Sequence, residues 1–532
     1  MTSMTGLTGM TGLTGLTGLT GFTYGKGRHA AAPARPAPRR LAAMLATAML
    51  AATLAGCSFG PDHARPAMDL PDAWRAGTAD TGTVQDGWWK GFGDPALDAL
   101  VASALDHNRD LAKAIANVDE ARAQLGLARA NQMPRIDAQG ASQRQRYSLD
   151  GFNSFDESTR VQDLHNAGGA LSYEMDLWGR YRRASEAARA DLLSTMAARD
   201  TVRLALVSEV ARTYFDLRAY DQQLQIARNT LASRESTQEL RKVRHELGLT
   251  SELDYRQAEA EAASARSSVH TLENGVSATE TALAVLTGRS PRDIVTGTVE
   301  RGLAVDTAPV PPSVPAGLPS ALLERRPDLA QAEQQLAAAS ARIGVAKAAY
   351  FPSISLTGLL GYESSDLTRL FTGPAGTWRY AGSVSMPIFD FGRVKAGVEA
   401  AEARQRAALA GYEKAVQDAF REAQNALVAN RKAREVVEAQ TTQVEALRRS
   451  LRLAKLRYDN GYSSYLEVLD AERSLFQAEV SLASARRDQL TAVVDVYRAL
   501  GGGWAGIAPQ APHAADASEA APQPEKPVAA AQ

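Results

Sequence analysis

AKAAYFPSISLTG, residues 346–358, changes character at Pro352. Up to Tyr350 it reads as the end of an Ala-rich helix. After Pro352 it alternates Ser353, Ile354, Ser355, Leu356 and Thr357 with the period of two that belongs to a strand. Proline has no N–H for the helical ladder, so the helix stops there. What so helical a chain does with so brief a strand decides its fold.

That stretch has a twin. NRDLAKA (108–114) matches RPDLAQA (326–332), and the match runs on through Gly126 with Gly344 to Pro134-Arg135-Ile136 with Pro352-Ser353-Ile354, at a constant offset of 218 (326 less 108). Later the offset is 213 (392 less 179): Trp178-Gly179-Arg180 pairs with Phe391-Gly392-Arg393, Gly248 with Gly461, and Gly288 with Gly501. One structural unit has been used twice. The five-residue difference falls between the Pro and Gly anchors of each half, where a variable loop is expected.

Each half, 97–288 and 319–500, reads as helix, two strands, very long helix, helix. The first helices are expected over 97–133 and 319–350, and β-hairpins over 135–176 and 353–388. Long helices follow over 180–247 and 393–460, closing helices over 251–287 and 463–500, and a linker over 289–318. In the second half Ile354, Leu356, Leu360 and Tyr362 share one strand face against Ser353, Ser355, Thr357 and Glu363. Trp378, Tyr380, Val384 and Met386 likewise oppose Thr377, Arg379, Ser383 and Ser385, and Leu171, Tyr173 and Met175 oppose Ser172, Glu174 and Asp176 in the first half. Tilted strands of about ten residues with one apolar face match a transmembrane barrel, with Trp and Tyr as its aromatic girdle. Alternation alone fits a small soluble sheet on helices equally well. Four strands do not close a barrel, because about eight are needed, so the barrel reading requires oligomerisation.

Residues 393–460 contain no proline and amount to roughly 100 Å of helix. Leu409, Val416, Ala423, Asn430, Val437, Val444, Leu451 and Tyr458 recur every seven residues; Leu206, Val210, Thr213, Leu217, Tyr220, Leu224, Ala227 and Leu231 step by four and three. Sustained 3.5-residue periodicity means left-handed coiled-coil packing.

The chain of 532 residues carries 59 basic and 60 acidic side chains, a balance that gives no electrostatic footprint for nucleic acid. G-x-S-x-G, H-E-x-x-H and phosphate-loop motifs are absent, so neither an enzyme nor a cofactor or metal is expected. Residues 5–21 repeat Thr-Gly-Leu or Thr-Gly-Met, a low-complexity run expected to be disordered or a consequence of start-site choice. Arg35, Arg39 and Arg40 precede LAAMLATAMLAATLA (41–55), which reads as the h-region of a signal peptide, too short to span a bilayer. The only cysteine, Cys57, closes Leu54-Ala55-Gly56-Cys57, which resembles a bacterial lipobox. That implies cleavage before Cys57, S-diacylglyceryl and N-palmitoyl chains on it, and, with Ser58 following, sorting to the outer membrane.

DGWWKGFGDPALDALVASALDHNRDL (86–111), RRPDLAQAEQQLAAASARIGVAKAAYFPSISLTG (325–358) and RYDNGYSSYLEVLDAERSL (457–475), in that order on the repeat, resemble the TolC-type outer-membrane efflux factors of the NodT/OprM-like lipoprotein branch. The resemblance covers roughly residues 58–504. It implies a mainly α fold with a small membrane β part: a homotrimer whose twelve strands close one barrel above a twelve-helix periplasmic tunnel. It also implies a passive duct in the outer-membrane lipid that docks a periplasmic adaptor and an inner-membrane pump of the RND type, and exports drugs or other small toxic molecules. Residues 57–96, 289–318 and those after Gly501 are expected to form an equatorial belt, and the tail from about 509 to be disordered.

On the same resemblance the tips of the long helices dock the adaptor, through Leu247, Gly248, Leu249, Thr250 and Ser251 in one half and Gly461, Tyr462, Ser463 and Ser464 in the other. Arg457, Tyr458, Asp459, Ser463, Glu467 and Asp470 are expected to hold a closed periplasmic aperture. Ser251 and Ser463 are candidate caps for the helices that follow. Ser463 stands where relatives often carry an acidic ring, which puts such a ring in doubt here. The remaining alternatives are an outer-membrane duct for protein secretion, which shares the fold, and a structural coiled-coil protein, which leaves the lipobox and strands unexplained.

Overall fold

The structure is a computed structural model that describes residues 59–74, 86–150, 156–311 and 319–504. The Thr-Gly run, the h-region, Cys57 and the tail beyond Trp504 lie outside the described residues. Within residues 57–532, which form one compact unit, the described strands are β1 (Arg135–Arg146), β2 (Val161–Met175), β3 (Ser353–Ser364) and β4 (Gly376–Ser385). The main helices are α1 (Pro95–His107), α2 (Arg109–Ala130), α3 (Arg180–Glu246), α4 (Glu252–Leu286), α5 (Pro327–Ala348), α6 (Arg393–Asp459) and α7 (Tyr465–Ala499).

The strands form one antiparallel sheet in the order β1-β2-β3-β4. Its outer joints obey the repeat: Arg135 lies opposite Ser172, and adding 218 and 213 gives Ser353 opposite Ser385, the pair that is found. The central joint, Met175 opposite Ile354, connects the two halves. Because facing residues of paired strands share a side, Ile136, Leu171, Met175, Leu356, Leu360, Trp378, Tyr380 and Val384 all project from one face, and all are exposed. The opposite face carries Asp137, Gln139, Glu174, Ser355, Thr357, Arg379 and Ser383.

The expectation of single first helices over 97–133 and 319–350 is corrected. The first breaks at Asn108, whose extended backbone ends α1 while its Oδ1 accepts from the N–H groups of Asp110 (2.9 Å) and Leu111 (3.0 Å) to cap α2. The second breaks before Pro327, which forces Arg326 out of the helical region and leaves the short turns Pro319–Ala321 and Leu322–Arg325 upstream. Asn108 and Arg326 are repeat partners with one task. Asn108 Nδ2 donates to the Leu286 carbonyl at the end of α4 (2.9 Å), and Arg326 donates to the equivalent Ala499 carbonyl at the end of α7 (3.2 Å). Chain approach is closest beside them. A Cβ on Gly288 or Gly501, both at positive φ, would stand 2.2 and 2.0 Å from the carbonyl oxygens of His107 and Arg325.

The main core lies where α3, α6 and α7 meet α1 and the turn Trp88–Phe92, around Tyr214, Phe215, Tyr412, Val416 and Val493. Trp88 stacks on Tyr497 at 4.9 Å, and Phe92 meets Phe215 at 4.9 Å. Buried Asp94 ties the segment around Gly302 and Leu303 to this core. Its Oδ1 caps α1 at Ala96 N (3.0 Å), while its Oδ2 accepts from the Tyr214 hydroxyl (2.6 Å) and from Leu303 N (3.0 Å). Tyr214 in turn accepts from Gly302 N (3.0 Å). Burial, and then the hydrogen bond to Asp94, push the Tyr214 hydroxyl well above the usual tyrosine range, so it stays a donor. Asp94→Ala strands these donors and removes a helix cap, with an expected loss of roughly 2–4 kcal/mol. Tyr214→Phe, which leaves the cap intact, is expected to cost about 1 kcal/mol; urea unfolding followed by circular dichroism separates the two.

Candidate functional site at the helical tips

The sequence-expected site residues cluster where α3 turns into α4 and α6 into α7. Both turns are built alike. The Leu249 N–H reaches back to the Arg244 carbonyl (2.8 Å) and Gly248 N–H to His245 (2.8 Å); Tyr462 N–H reaches Arg457 (2.8 Å) and Gly461 N–H reaches Tyr458 (2.9 Å). Gly248 and Gly461 sit at φ +70° and +77°, and a Cβ on either would meet nothing within 4 Å. Backbone conformation rather than space therefore calls for glycine. Leu247, Leu249 and Leu253 on one turn and Tyr462 and Leu466 on the other are left in water.

Ser251 caps α4 by accepting from Asp254 N (3.2 Å). Ser463 as a cap is corrected: Ser464 occupies the N-cap position of α7 and its side chain makes no cap bond. The repeat explains the displacement, since adding 213 takes Ser251 to Ser464 and Thr250 to Ser463. Thr250 Oγ1 and Ser463 Oγ are both buried without a hydrogen-bond partner.

Arg457 pairs with Glu467 at 3.3 Å, both well exposed, so the pair is weak. Asp459 is exposed at the end of α6, and Asp470 lies 3.8 Å from Arg473. Tyr458 belongs to a stronger arrangement. Its hydroxyl accepts from Arg241 of α3, whose guanidinium carbon lies 4.9 Å from the Tyr458 ring centre and 4.1 Å from that of Tyr465 on α7. Arg241 is 3% exposed, and its Nε has no hydrogen-bond acceptor, so the two ring faces, together with the Tyr458 hydroxyl, offset its desolvation. Burial, then the charge of Glu472, pushes the Tyr465 hydroxyl up to about 12, which keeps it neutral. Lys455 meets Glu472 at 2.8 Å.

Two helical turns further in, Glu261 of α4, 7% exposed, receives Arg234 of α3 at 2.9 Å and Arg473 of α7 at 2.7 Å. Three helices from both halves thus converge on one carboxylate. Sequence reasoning missed Arg234, Arg241, Glu261, Tyr465 and Arg473. A signal existed for the first two: Ala227, Arg234 and Arg241 continue the buried seam of α3 at seven-residue spacing, but the seam turns charged after Leu231.

What this arrangement does chemically is mechanical. It fastens the tips of the two halves through buried Arg241 and Glu261, the latter reached from the second half by the half-exposed Arg473, and among the described residues no group of His, Cys, Asp and Glu is placed to hold a metal. Removing one partner of a buried ion set leaves the other charges unpaired. Glu261→Ala is expected to cost about 3–5 kcal/mol locally, read as faster hydrogen exchange in residues 230–265 with the amides around Asp94 unchanged.

The sequence matches the family model for the outer membrane efflux protein over residues 100–289 and 318–502, one block per repeat. It is 37% identical over 469 residues to the probable efflux pump outer membrane protein TtgC of Pseudomonas putida, across 87% of this chain and 96% of that one. The fold superposes on the Campylobacter jejuni CmeC outer membrane channel with a TM-score of 0.80 at 27% identity, covering 84% of this chain and 95% of CmeC. For the open state of the Neisseria gonorrhoeae MtrE outer membrane channel the TM-score is 0.74 at 35% identity, covering 85% and 99%.

Proposed function

The chain belongs to the outer membrane efflux protein family and is an outer-membrane channel of an efflux pump; we propose that three copies, each lipidated at Cys57, form one passive duct for drugs and other small toxic molecules. The sheet carries this reading. It has an exposed apolar face, a polar face and two unpaired edges, and among the described residues no helix is long and apolar enough to cross a membrane. In a bilayer an open edge would leave backbone groups unpaired, so the sheet must close on further strands. About eight strands give an interior filled by side chains and the diameter grows with strand number, so the strands of three copies would enclose a wider interior. Energy for transport then comes from the partners: an inner-membrane pump, of the RND type, and a periplasmic adaptor.

The lipid anchor is supported by the path of the chain just after Cys57. Phe59 stacks on Phe351 at 4.3 Å, and Phe351 stacks on Trp178 at 4.9 Å, at the point where β2 ends and β3 begins. Asp62 receives Arg183 (2.7 Å), and Arg65 makes a two-pronged pair with Glu333 (2.9 and 2.8 Å). A chain held at the periplasmic rim of the sheet two residues beyond Cys57 lets acyl chains on that residue enter the inner leaflet.

Adaptor docking at Leu247, Gly248, Leu249, Thr250, Ser251, Gly461, Tyr462, Ser463 and Ser464 is supported by the apolar side chains that both turns expose. Arg457, Tyr458, Asp459, Ser463, Glu467 and Asp470 surround the aperture in this reading, with Arg241 holding Tyr458 from behind.

Cys57→Ala is expected to abolish palmitate labelling, reduce the outer-membrane fraction and lower resistance to the pump's substrates; unchanged location and susceptibility would count against the anchor. A photo-crosslinker at Leu249 or Tyr462 should capture one periplasmic adaptor in growing cells. Failure to capture any would remove the docking assignment.

A further inference from the structure

We propose that the hairpin of β1 and β2 carries, at the outer end of its lipid-facing side, a binding site for a phosphate-bearing glycolipid headgroup, held by Arg144 and Arg146. The proposal rests on the membrane-embedded sheet described above and names what one sector of its rim recognises. Ile136, Ala138, Gly140, Ser142, Arg144 and Arg146 take every second place along β1 and so share the apolar side of the sheet. Eight residues separate Arg144 from Ile136 (144 less 136). That is about 27 Å along a strand and roughly 20 Å of height at the usual barrel tilt, most of an apolar band about 25 Å tall. The helices join the sheet at the other end, beside Arg135 and Met175, so Arg144 and Arg146 stand at the outer rim.

The repeat fixes their height independently. Arg144 opposite Asp163 becomes, on adding 218 and 213, Tyr362 opposite Gly376, the pair that is found; Ser142 opposite His165 becomes Leu360 opposite Trp378, which is also found. In the second hairpin this level is aromatic. Tyr362 meets the Phe371 ring at 5.6 Å, and Trp378 stacks on Tyr380 at 5.4 Å. Tyrosine and tryptophan belong at the level of lipid headgroups. At that same level, on an equivalent backbone, the first hairpin presents Arg144 in place of Tyr362 and His165 in place of Trp378.

The charges of this sector do not balance. Arg144 lies 3.6 Å from Asp163, and both side chains are exposed, so the pair is weak. Arg146 faces Val161 across the ladder and among the described residues makes no hydrogen bond or ion pair. In the row below, Ser142 Oγ and His165 Nδ1 engage each other at 2.8 Å. The other carboxylates near this end are occupied or turned away. Asp366 accepts from Thr368 N (2.9 Å) and Thr368 Oγ1 (2.8 Å), and Glu363 projects from the opposite face, opposite Asn166. Two guanidinium groups against one carboxylate leave the sector short of an anion, on a face turned towards lipid. A headgroup phosphate supplies it. Two arginines at alternate strand positions stand about 7 Å apart at Cα, their planar forks match phosphate oxygens two at a time, and their aliphatic stems lie along the apolar surface below. A lipid with phosphates on a sugar above its acyl chains, the lipid A class, has the anion at the required height.

The test is lipid binding to the full-length protein, purified from membranes as the assembled channel, delipidated in detergent, titrated with bisphosphorylated lipid A and read by native mass spectrometry. The wild type should take one lipid A per chain. Arg146→Gln, which breaks no contact of the chain, should bind at least three-fold more weakly, and Arg144→Gln with Arg146→Gln at least ten-fold more weakly. Arg379→Gln removes a charge from the opposite face of β4 and should leave binding unchanged. Lipid A stripped of its phosphates should bind like the double variant, and inorganic phosphate at millimolar concentration should not displace the bound lipid. Wild-type affinity in the double variant, an equal loss in Arg379→Gln, equal binding of the stripped lipid, or displacement by inorganic phosphate each overturns the site and leaves the channel reading standing. A wild-type chain that fractionates away from the outer membrane and takes no lipid A overturns both.

Discussion

In a hydrocarbon layer every backbone N–H and C=O has to find its partner within protein, and the described residues bring four strands to meet that demand. The outer strands β1 and β4 each present an unpaired edge, and the face they share is apolar from Ile136 to Val384. A sheet of this kind is not stable alone in either solvent. Water penalises its Leu360, Trp378 and Tyr380, and lipid penalises its edges. Closure by further copies answers both, and the rest of the architecture follows from the need to present four strands in the correct order and tilt.

Below the sheet the solvent is water and the rules reverse. Helices satisfy their own backbone, so α3 and α6 run 67 residues each without help from a neighbour's main chain. Their association relies on seams of alanine and aliphatic residues, and in the main core on Trp88, Phe92, Tyr214 and Tyr497. Towards the tips the seam becomes ionic, with Arg234, Arg241 and Glu261 taken out of water. A buried ion set adds little net stability over an apolar core, but it is intolerant of a displaced partner. For the aperture proposed at this end, an on-or-off fastening suits the function better than a sliding hydrophobic one.

Much of the fold was legible because the sequence says it twice. Pro134 and Pro352, Gly179 and Gly392, and Gly248 and Gly461 each mark a boundary for a backbone reason that a single chain reveals: a missing N–H or a positive φ. The break at Asn108 was harder, since asparagine is tolerated inside helices, and its cap bonds to Asp110 and Leu111 are fixed by a further bond to the Leu286 carbonyl, 178 residues away. Ser463 was misread as a cap by one position, although the offset of 213 leads from Ser251 to Ser464. β1 carries little apolar alternation beyond Ile136, because much of that face holds Ala138, Gly140, Ser142 and Arg144.

The sequence by itself determined the order of the main elements, the two-fold repeat, the change from helix to strand at Pro352 and the family, since all of these are local patterns or direct matches. Only the tertiary structure decided which strand lies beside which, that Asp94 ties Leu303 to Tyr214 of α3, and that Arg241 rather than a tip residue holds Tyr458. The physical reason is sequence distance. Asp94 and Tyr214, Arg241 and Tyr458, and Met175 and Ile354 are separated by more than a hundred residues, and no periodicity within either partner carries information about the other.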